Sequence, residues 1–153
     1  MLSIPGTHDS GTYTCSWYQV CDSSQCQSWD ITNQLQAGIR YLDVRINSRD
    51  GYLAVGHGPY QFLTLTDFFS QVATFLRSYP IEFVILAFQK NSGDRDPAAE
   101  IITLLQTVGI NAVYQQSIPT VGSLRGKAWI FGGIGVDFYA ADHNKNTYVM
   151  TGN

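Results

Sequence analysis

The scarcest thing in this sequence is charge. Charged residues make up 14% of the 153, nine Lys+Arg against twelve Asp+Glu, for a formal net charge of -3. A general nucleic-acid binder needs a basic footprint, and an acidic balance argues against one. Long hydrophobic runs are also missing. The longest, Phe83-Val84-Ile85-Leu86-Ala87-Phe88, has the length of a buried strand and falls far short of the ~20 residues of a membrane helix. Cysteine is confined to Cys15, Cys21 and Cys26. They form no CxxC pair and enclose no histidine, so their spacing does not spell a zinc site. One local disulfide with the third thiol free or paired elsewhere is the favoured reading, and three ordinary loop thiols the alternative. No basic-then-apolar leader opens the chain, so any secretion signal is expected to be absent or already removed. Against these scarcities stand nine Tyr, eight Phe and three Trp, with 44% hydrophobic residues. That is too apolar for disorder. The length suits a single domain, residues 1–153, with a real core.

Punctuation and period divide the chain. Ile4-Pro5-Gly6-Thr7 is where an apolar strand is expected to break into a loop. Residues 10–28 lack a period and read as a long surface loop. Asp30 to Ala37 predicts a short helix with Gly38 as its stop. Ile39 to Ile46 reads as a strand. Asp50-Gly51 signals a tight turn, with Tyr52 to Val55 folding back and ending at Gly56-His57-Gly58-Pro59. Thr64 with Asp67 resembles a capping box. The apolar residues Leu65, Phe68, Phe69, Val72, Phe75 and Leu76 then predict a helix, ended by Tyr79-Pro80. Residues 83–88 form the next strand. Asp96 as N-cap and Pro97 at the first helical position open a further helix, which Gly109 stops. Residues 128–131 make a fourth strand, broken by the glycines from Gly132 on. Such alternation predicts a parallel α/β sheet. Four units are half of an eight-unit barrel, which takes about 250 residues when whole. A four-strand Rossmann-type sheet competes, but no G-x-G-x-x-G follows a strand.

Few residues could carry chemistry. His8 and His57 each follow a strand-like segment in a Gly/Pro-flanked loop, the place where parallel α/β folds hold their sites. Asp43 and Arg45 stand at i and i+2 and so share one face of a strand. A charged pair on an interior face is costly unless it is paired or functional. Two imidazoles, a guanidinium and nearby carboxylates suit phosphoryl-ester cleavage. One imidazole takes a proton from the attacking oxygen and the other gives one to the leaving oxygen. The guanidinium balances charge on the phosphoryl oxygens. A simple structural pairing of Asp43 with Arg45, and solvated loop histidines, are the plainer alternatives. His143, in a polar stretch, reads as surface.

These residues sit in a recognisable pattern. Ser3-Ile4-Pro5-Gly6-Thr7-His8-Asp9-Ser10-Gly11-Thr12 resembles the opening motif of the bacterial-type phosphatidylinositol-specific phospholipase C X-domain. Gln34 through Arg45, with its Gly38-Ile39-Arg40 and Asp43-Val44-Arg45, resembles the second motif. Val55-Gly56-His57-Gly58-Pro59 resembles the third. Tyr79-Pro80 and Leu124-Arg125-Gly126-Lys127 fit the later pattern, so the resemblance runs from about residue 2 to about residue 133.

The resemblance implies a distorted, TIM-barrel-like (β/α)8 fold, of which this chain covers about the first half. It implies cleavage of an inositol phospholipid or related glycolipid to diacylglycerol and a cyclic inositol phosphate. His8 is then the general base on the inositol 2-hydroxyl and His57 the general acid on the leaving group. Asp9 supports the histidine pair, and Asp43 holds Arg45 or a histidine. Arg45 stands where calcium-dependent members carry a carboxylate ligand, so no metal or other cofactor is expected. Gln89, with Lys90 beside it, takes the place of a basic inositol contact, and Gly133 the place of an arginine. Both changes put the head group in question. The resemblance further implies a secreted or extracellular protein in transient contact with a membrane surface. Tyr13, Trp17, Tyr18 and Trp29 are candidate rim aromatics, with packing onto the barrel end as the alternative. Two other readings stay open, an inactive truncated half barrel and a phospholipid head-group binding module.

Overall fold

The computed structural model describes residues 3–14, 23–49, 51–93, 96–115 and 117–131. Its centre is β2 (Tyr41–Arg49) beside β5 (Phe83–Gly93), paired in parallel from Tyr41↔Ile85 to Ser48↔Gly93. β7 (Lys127–Phe131) continues the sheet in parallel beyond β5, and β6 (Ala112–Val113) lies parallel on the far side of β7. β3 (Tyr52–His57) and β4 (Tyr60–Thr64) are antiparallel and extend the other side, giving the order β4-β3-β2-β5-β7-β6. β1 (Gly6–Thr7) pairs in parallel with Tyr41 and Leu42.

Two strands therefore share one edge of β2. β1 takes its first two residues, and β3 takes Ile46 to Arg49. Residues 43–45 fall in the gap between them. The parallel set β1-β2-β5-β7, with helices against one face, is half of a (β/α)8 barrel.

Alternation along the strands builds two apolar layers. Leu42, Val44, Ile46, Val84, Leu86, Phe88, Ala128 and Ile130 face the helices. They meet Phe68, Phe69, Val72 and Leu76 of α2 (Leu65–Ser78) and Ile101 and Leu105 of α3 (Ala98–Thr107). Phe69 and Phe88 stack edge to face at 5.9 Å. Each fully buried side chain of this size contributes roughly 1.5–3 kcal/mol. On the opposite, inner face Phe83, Ile85, Ala87, Trp129 and Phe131 form a second cluster with Leu124, against which Ile4 and Tyr41 pack.

The helices begin and end where local chemistry dictates. Thr64 Oγ1 accepts from the Asp67 amide at 3.0 Å, the N-cap half of the expected capping box, and donates to Asp67 Oδ2 at 2.7 Å. Pro80 cannot continue α2. In α1 (Ile31–Gln36) the Asp30 carboxylate accepts from the Asn33 amide at 2.7 Å. Gly38, at φ 99°, turns the chain out of α1 toward β2, a conformation a side chain would strain.

Several expectations shift. β1 forms at Gly6–Thr7, where a break was expected, because the Pro5 carbonyl accepts from the Arg40 and Tyr41 amides and draws this segment onto β2. Ser10, Gly11 and Thr12 are buried rather than part of a surface loop, since the chain passes directly over Val55 and Leu63. Pro97, not Asp96, caps α3. Asp96 still serves the same end, its Oδ1 accepting from the Ala98 amide at 3.1 Å. β4, β6 and the short α4 (Val121–Leu124) were not anticipated. Cys15, Cys21, Trp17, Tyr18, Gly133 and His143 lie outside the described residues.

Candidate active site

The gap on the β2 edge is the candidate site. Thr7 ends β1 opposite Leu42 and places His8 at the mouth of the gap. β3 runs the other way from its last pair with β2, Val55↔Ile46, and brings His57 toward the same gap. Asp43 and Arg45 project from the stretch between. The Ser10 amide bridges to the Asp43 carbonyl at 2.8 Å, so the segment after β1 is bonded to the otherwise unpaired edge.

Gln34 holds that segment in place. It is buried on α1, accepts from Thr7 Oγ1 at 2.7 Å, and donates to the carbonyls of Ser10 (2.9 Å) and Trp29 (2.7 Å). Gln34 belongs to the second motif, but sequence reasoning gave it no part in the site. From the other side Gln27 Nε2 donates to the His8 carbonyl at 2.6 Å.

Asp9 is the hub. It is fully buried and adopts a left-handed backbone at φ 45°, rare for a non-glycine residue. Its amide donates to Asp43 Oδ2 at 3.2 Å, while its carbonyl accepts from the Thr12 amide and hydroxyl at 3.0 and 2.8 Å. Oδ1 lies 2.5 Å from Arg45 Nε. The two atoms are in ionic contact but outside hydrogen-bond geometry, and neither has a hydrogen-bond partner among the described residues. Oδ2 faces both imidazoles, 3.3 Å from His8 Nε2 and 3.9 Å from His57 Nε2. Burial pushes the Asp9 carboxyl above its ordinary range, and the Arg45 guanidinium pulls the other way without cancelling it.

Each imidazole has an orienting partner. His8 Nδ1 is 3.1 Å from Asp43 Oδ2. His57 Nδ1 is 3.1 Å from the Ser24 carbonyl, which can only accept, so Nδ1 carries the proton and Nε2 is turned toward Asp9. A third group stands in the cluster. Cys26 Sγ, an exposed thiol, is 3.8 Å from Asp9 Oδ2 and 4.0 Å from His57 Nδ1.

Neutral amides fix the turn that carries His57. Asn47 Nδ2 donates to the Tyr60 carbonyl at 3.1 Å. Asn91 Nδ2 donates to Asn47 Oδ1 at 2.6 Å and to the Gly58 carbonyl at 2.7 Å. Gly56 lies against this clamp, and a Cβ there would collide with the Asn47 side chain and the Tyr60 carbonyl.

His8, Asp9, Asp43, Arg45 and His57 are thus brought together. Gln89, half-buried, pairs with Arg45 across the strands and shares its face. Lys90 pairs with Ile46, falls on the opposite face by alternation, and is not brought to the cluster. Tyr13 is half-buried, its hydroxyl accepting from Gln71 Nε2 at 2.9 Å, so it packs on α2. Trp29 is 57% exposed. Arg45 is one-quarter exposed, and its two terminal nitrogens make no hydrogen bond to a described residue. A guanidinium with its fork open beside two imidazoles is suited to a tetrahedral oxyanion such as phosphate.

The family profile for phosphatidylinositol-specific phospholipase C, X domain, matches residues 2–132. The chain belongs to this family. A 1-phosphatidylinositol phosphodiesterase of Listeria monocytogenes is 30% identical over 136 residues, which cover 82% of this chain and 42% of that protein. The PI-PLC X domain-containing protein 1 of Mus musculus is 34% identical over 120 residues, 60% of this chain and 35% of that one. The phosphatidylinositol-specific phospholipase C structure from Listeria monocytogenes superimposes with a TM-score of 0.68 at 26% identity, covering 94% of this chain and 52% of that chain. The F249X mutant of the Staphylococcus aureus enzyme gives 0.75 at 24% identity, covering 91% and 50%, a likeness of fold. The chain thus spans about half, or less, of the length of these relatives. The family and the half-barrel architecture expected from the sequence are both borne out.

Proposed function

We propose that this X domain supplies the acid/base half of a phospholipase C-type phosphodiesterase acting on an inositol phospholipid or related glycolipid. The observation that carries this reading is the convergence of His8 and His57 on one buried carboxylate, with the open guanidinium of Arg45 beside them. Asp43 orients His8 through Nδ1, which leaves Nε2 to take the proton of the inositol 2-hydroxyl. That oxygen attacks phosphorus and forms the cyclic ester as the bond to the glycerol oxygen breaks. His57 Nε2 delivers a proton to that oxygen, releasing diacylglycerol. Arg45 balances the charge on the non-bridging oxygens throughout. Because a fixed guanidinium fills this role, the reading includes no calcium requirement. Gln89, beside Arg45 on the inner face, is the nearest candidate contact to the head group. A secreted protein touching membranes transiently, with Trp29 at the rim, completes the proposal.

Phosphorus NMR of the chain with phosphatidylinositol micelles and excess chelator tests it. A cyclic phosphodiester signal that vanishes in His8→Ala and in His57→Ala supports the reading. An equal signal in those variants overturns the assignment.

A second reading is binding without turnover. The neutral Gln89 beside Arg45, where the resemblance places a basic inositol contact, favours it. Co-sedimentation with phosphatidylinositol vesicles, unaccompanied by any cyclic product, would select it.

A further inference from the structure

We propose that Cys26, Asp9 and His8 form a site for a thiophilic divalent cation of the zinc class, and that the bound ion shuts the acid/base pair off. The inference rests on the reading of His8 as a base, but the site itself does not.

The ligand atoms come first. Cys26 Sγ, a carboxylate oxygen of Asp9 and a ring nitrogen of His8 lie within 4.8 Å of one another. Tetrahedral zinc holds S, N and O ligands at about 2.0–2.3 Å, which sets ligand atoms roughly 3.3–3.8 Å apart. Asp9 Oδ2 already stands 3.3 Å from His8 Nε2 and 3.8 Å from Cys26 Sγ. The remaining adjustment falls on His8 and Cys26, both exposed side chains.

The geometry of the ring points the same way. His8 Nδ1 is 3.1 Å from Asp43 Oδ2 and its Nε2 is 3.3 Å from Asp9 Oδ2, so each ring nitrogen faces a carboxylate oxygen. Such a contact is stable only with a proton or a cation between the two atoms. The pairing of a carboxylate with the far nitrogen of an imidazole is also what sets a metal-binding histidine in its tautomer. Asp9 offers an independent sign. It is wholly buried, its Oδ1 is turned to Arg45, and its Oδ2 is aimed into the cluster toward His8 and Cys26.

Sulfur decides the class of ion. A thiolate selects zinc or cadmium over calcium or magnesium, which prefer all-oxygen cages. An exposed thiol also gives the ion a path in. Three protein ligands leave the fourth position to water. Coordination through Nε2 consumes the lone pair that His8 needs as a base, so binding and catalysis compete. The thiol proton is released to solvent as the Cys26–metal bond forms.

The test uses cobalt(II) as an optical probe on the full, reduced, metal-free chain. One equivalent should give a thiolate-to-cobalt charge-transfer band that zinc displaces. Cys26→Ser should remove the band and weaken zinc at least tenfold. Asp43→Asn should weaken it about tenfold. X-ray absorption of the zinc-loaded wild-type chain should count one sulfur ligand, a readout that needs no variant. Two or more sulfurs would place the ion on the other cysteines and overturn the proposal, as would a band that survives Cys26→Ser or no band at all. Turnover is scored separately. Cobalt binding by a chain that cleaves nothing leaves this site standing and removes the enzyme reading. Turnover indifferent to bound zinc removes the shut-off.

Discussion

Asp9 Oδ1 and Arg45 Nε touch at 2.5 Å, yet neither atom makes a hydrogen bond among the described residues. The fold brings a buried carboxylate and a guanidinium into contact without letting them saturate each other. Burial still holds the Asp9 carboxyl above its ordinary range. Ionising it at neutral pH therefore weighs against the folded state.

Asp9→Asn is accordingly expected to keep or raise the thermal midpoint at pH 7 in the presence of chelator, while cutting phosphodiesterase turnover at least tenfold. Thermal unfolding and phosphorus NMR on the same preparation read both. A drop of more than about 4 °C, roughly 1 kcal/mol or more for a chain of this size, would show that the ion pair stabilises the fold.

The two histidines should separate by leaving group. With an inositol phosphate ester of a nitrophenol, whose oxygen leaves without a proton, His57→Ala should recover most of a roughly 10²–10⁴-fold loss. His8→Ala should recover none of it. Equal behaviour of the two variants would contradict the assigned roles.

Gln34 makes three hydrogen bonds between α1 and the segments at Thr7, Ser10 and Trp29. Gln34→Leu removes all three and takes the side-chain donor from the buried Ser10 carbonyl, and a loss of about 1–3 kcal/mol is expected in urea unfolding. Turnover should fall further than stability alone explains, because His8 and Asp9 lie inside the clamped segment. Wild-type stability would show the clamp to be ornamental.

Tyr41 predicts the alkaline limb. Burial first, and Asp43 second, raise its phenol above the ordinary value of 10.0, so the fold favours the neutral form. Its contribution is whole below about pH 10 and is lost as the pH rises from there through the folded value. The unfolding midpoint of Tyr41→Phe should therefore fall less steeply than that of the wild-type chain above pH 10. Parallel curves would assign the effect to other tyrosines.

Gly56→Ala places a methyl group against Asn47 and the Tyr60 carbonyl. The backbone carbonyl cannot yield, so the turn must shift, at a cost of about 1–3 kcal/mol. Turnover should drop through displacement of His57, and an unchanged rate would mean that the turn has slack.

Much of this was legible in the chain. α2 follows from six apolar residues at helical spacing and a visible cap, and the strand at 83–88 from an apolar run bounded by Pro80 and polar residues. β6, two residues long, has no local signal, since its pairing with β7 comes from the neighbour. β4 was hidden because Tyr60 to Thr64 gains strand character only against β3. Five site residues could be named from three motifs, and the parity of the strand alone would have set Lys90 apart from Gln89. The nearness of Cys26 to His57 could not be read. It joins positions 31 residues apart through a loop without periodicity.

The clamp behind His57 is built from Asn47, Asn91 and main-chain carbonyls. None of these groups gains or loses a proton in the range where an imidazole does. The bracket that holds this turn therefore keeps its hydrogen bonds across that range. Acid and base can reach the cluster without loosening the strand end that carries the ring.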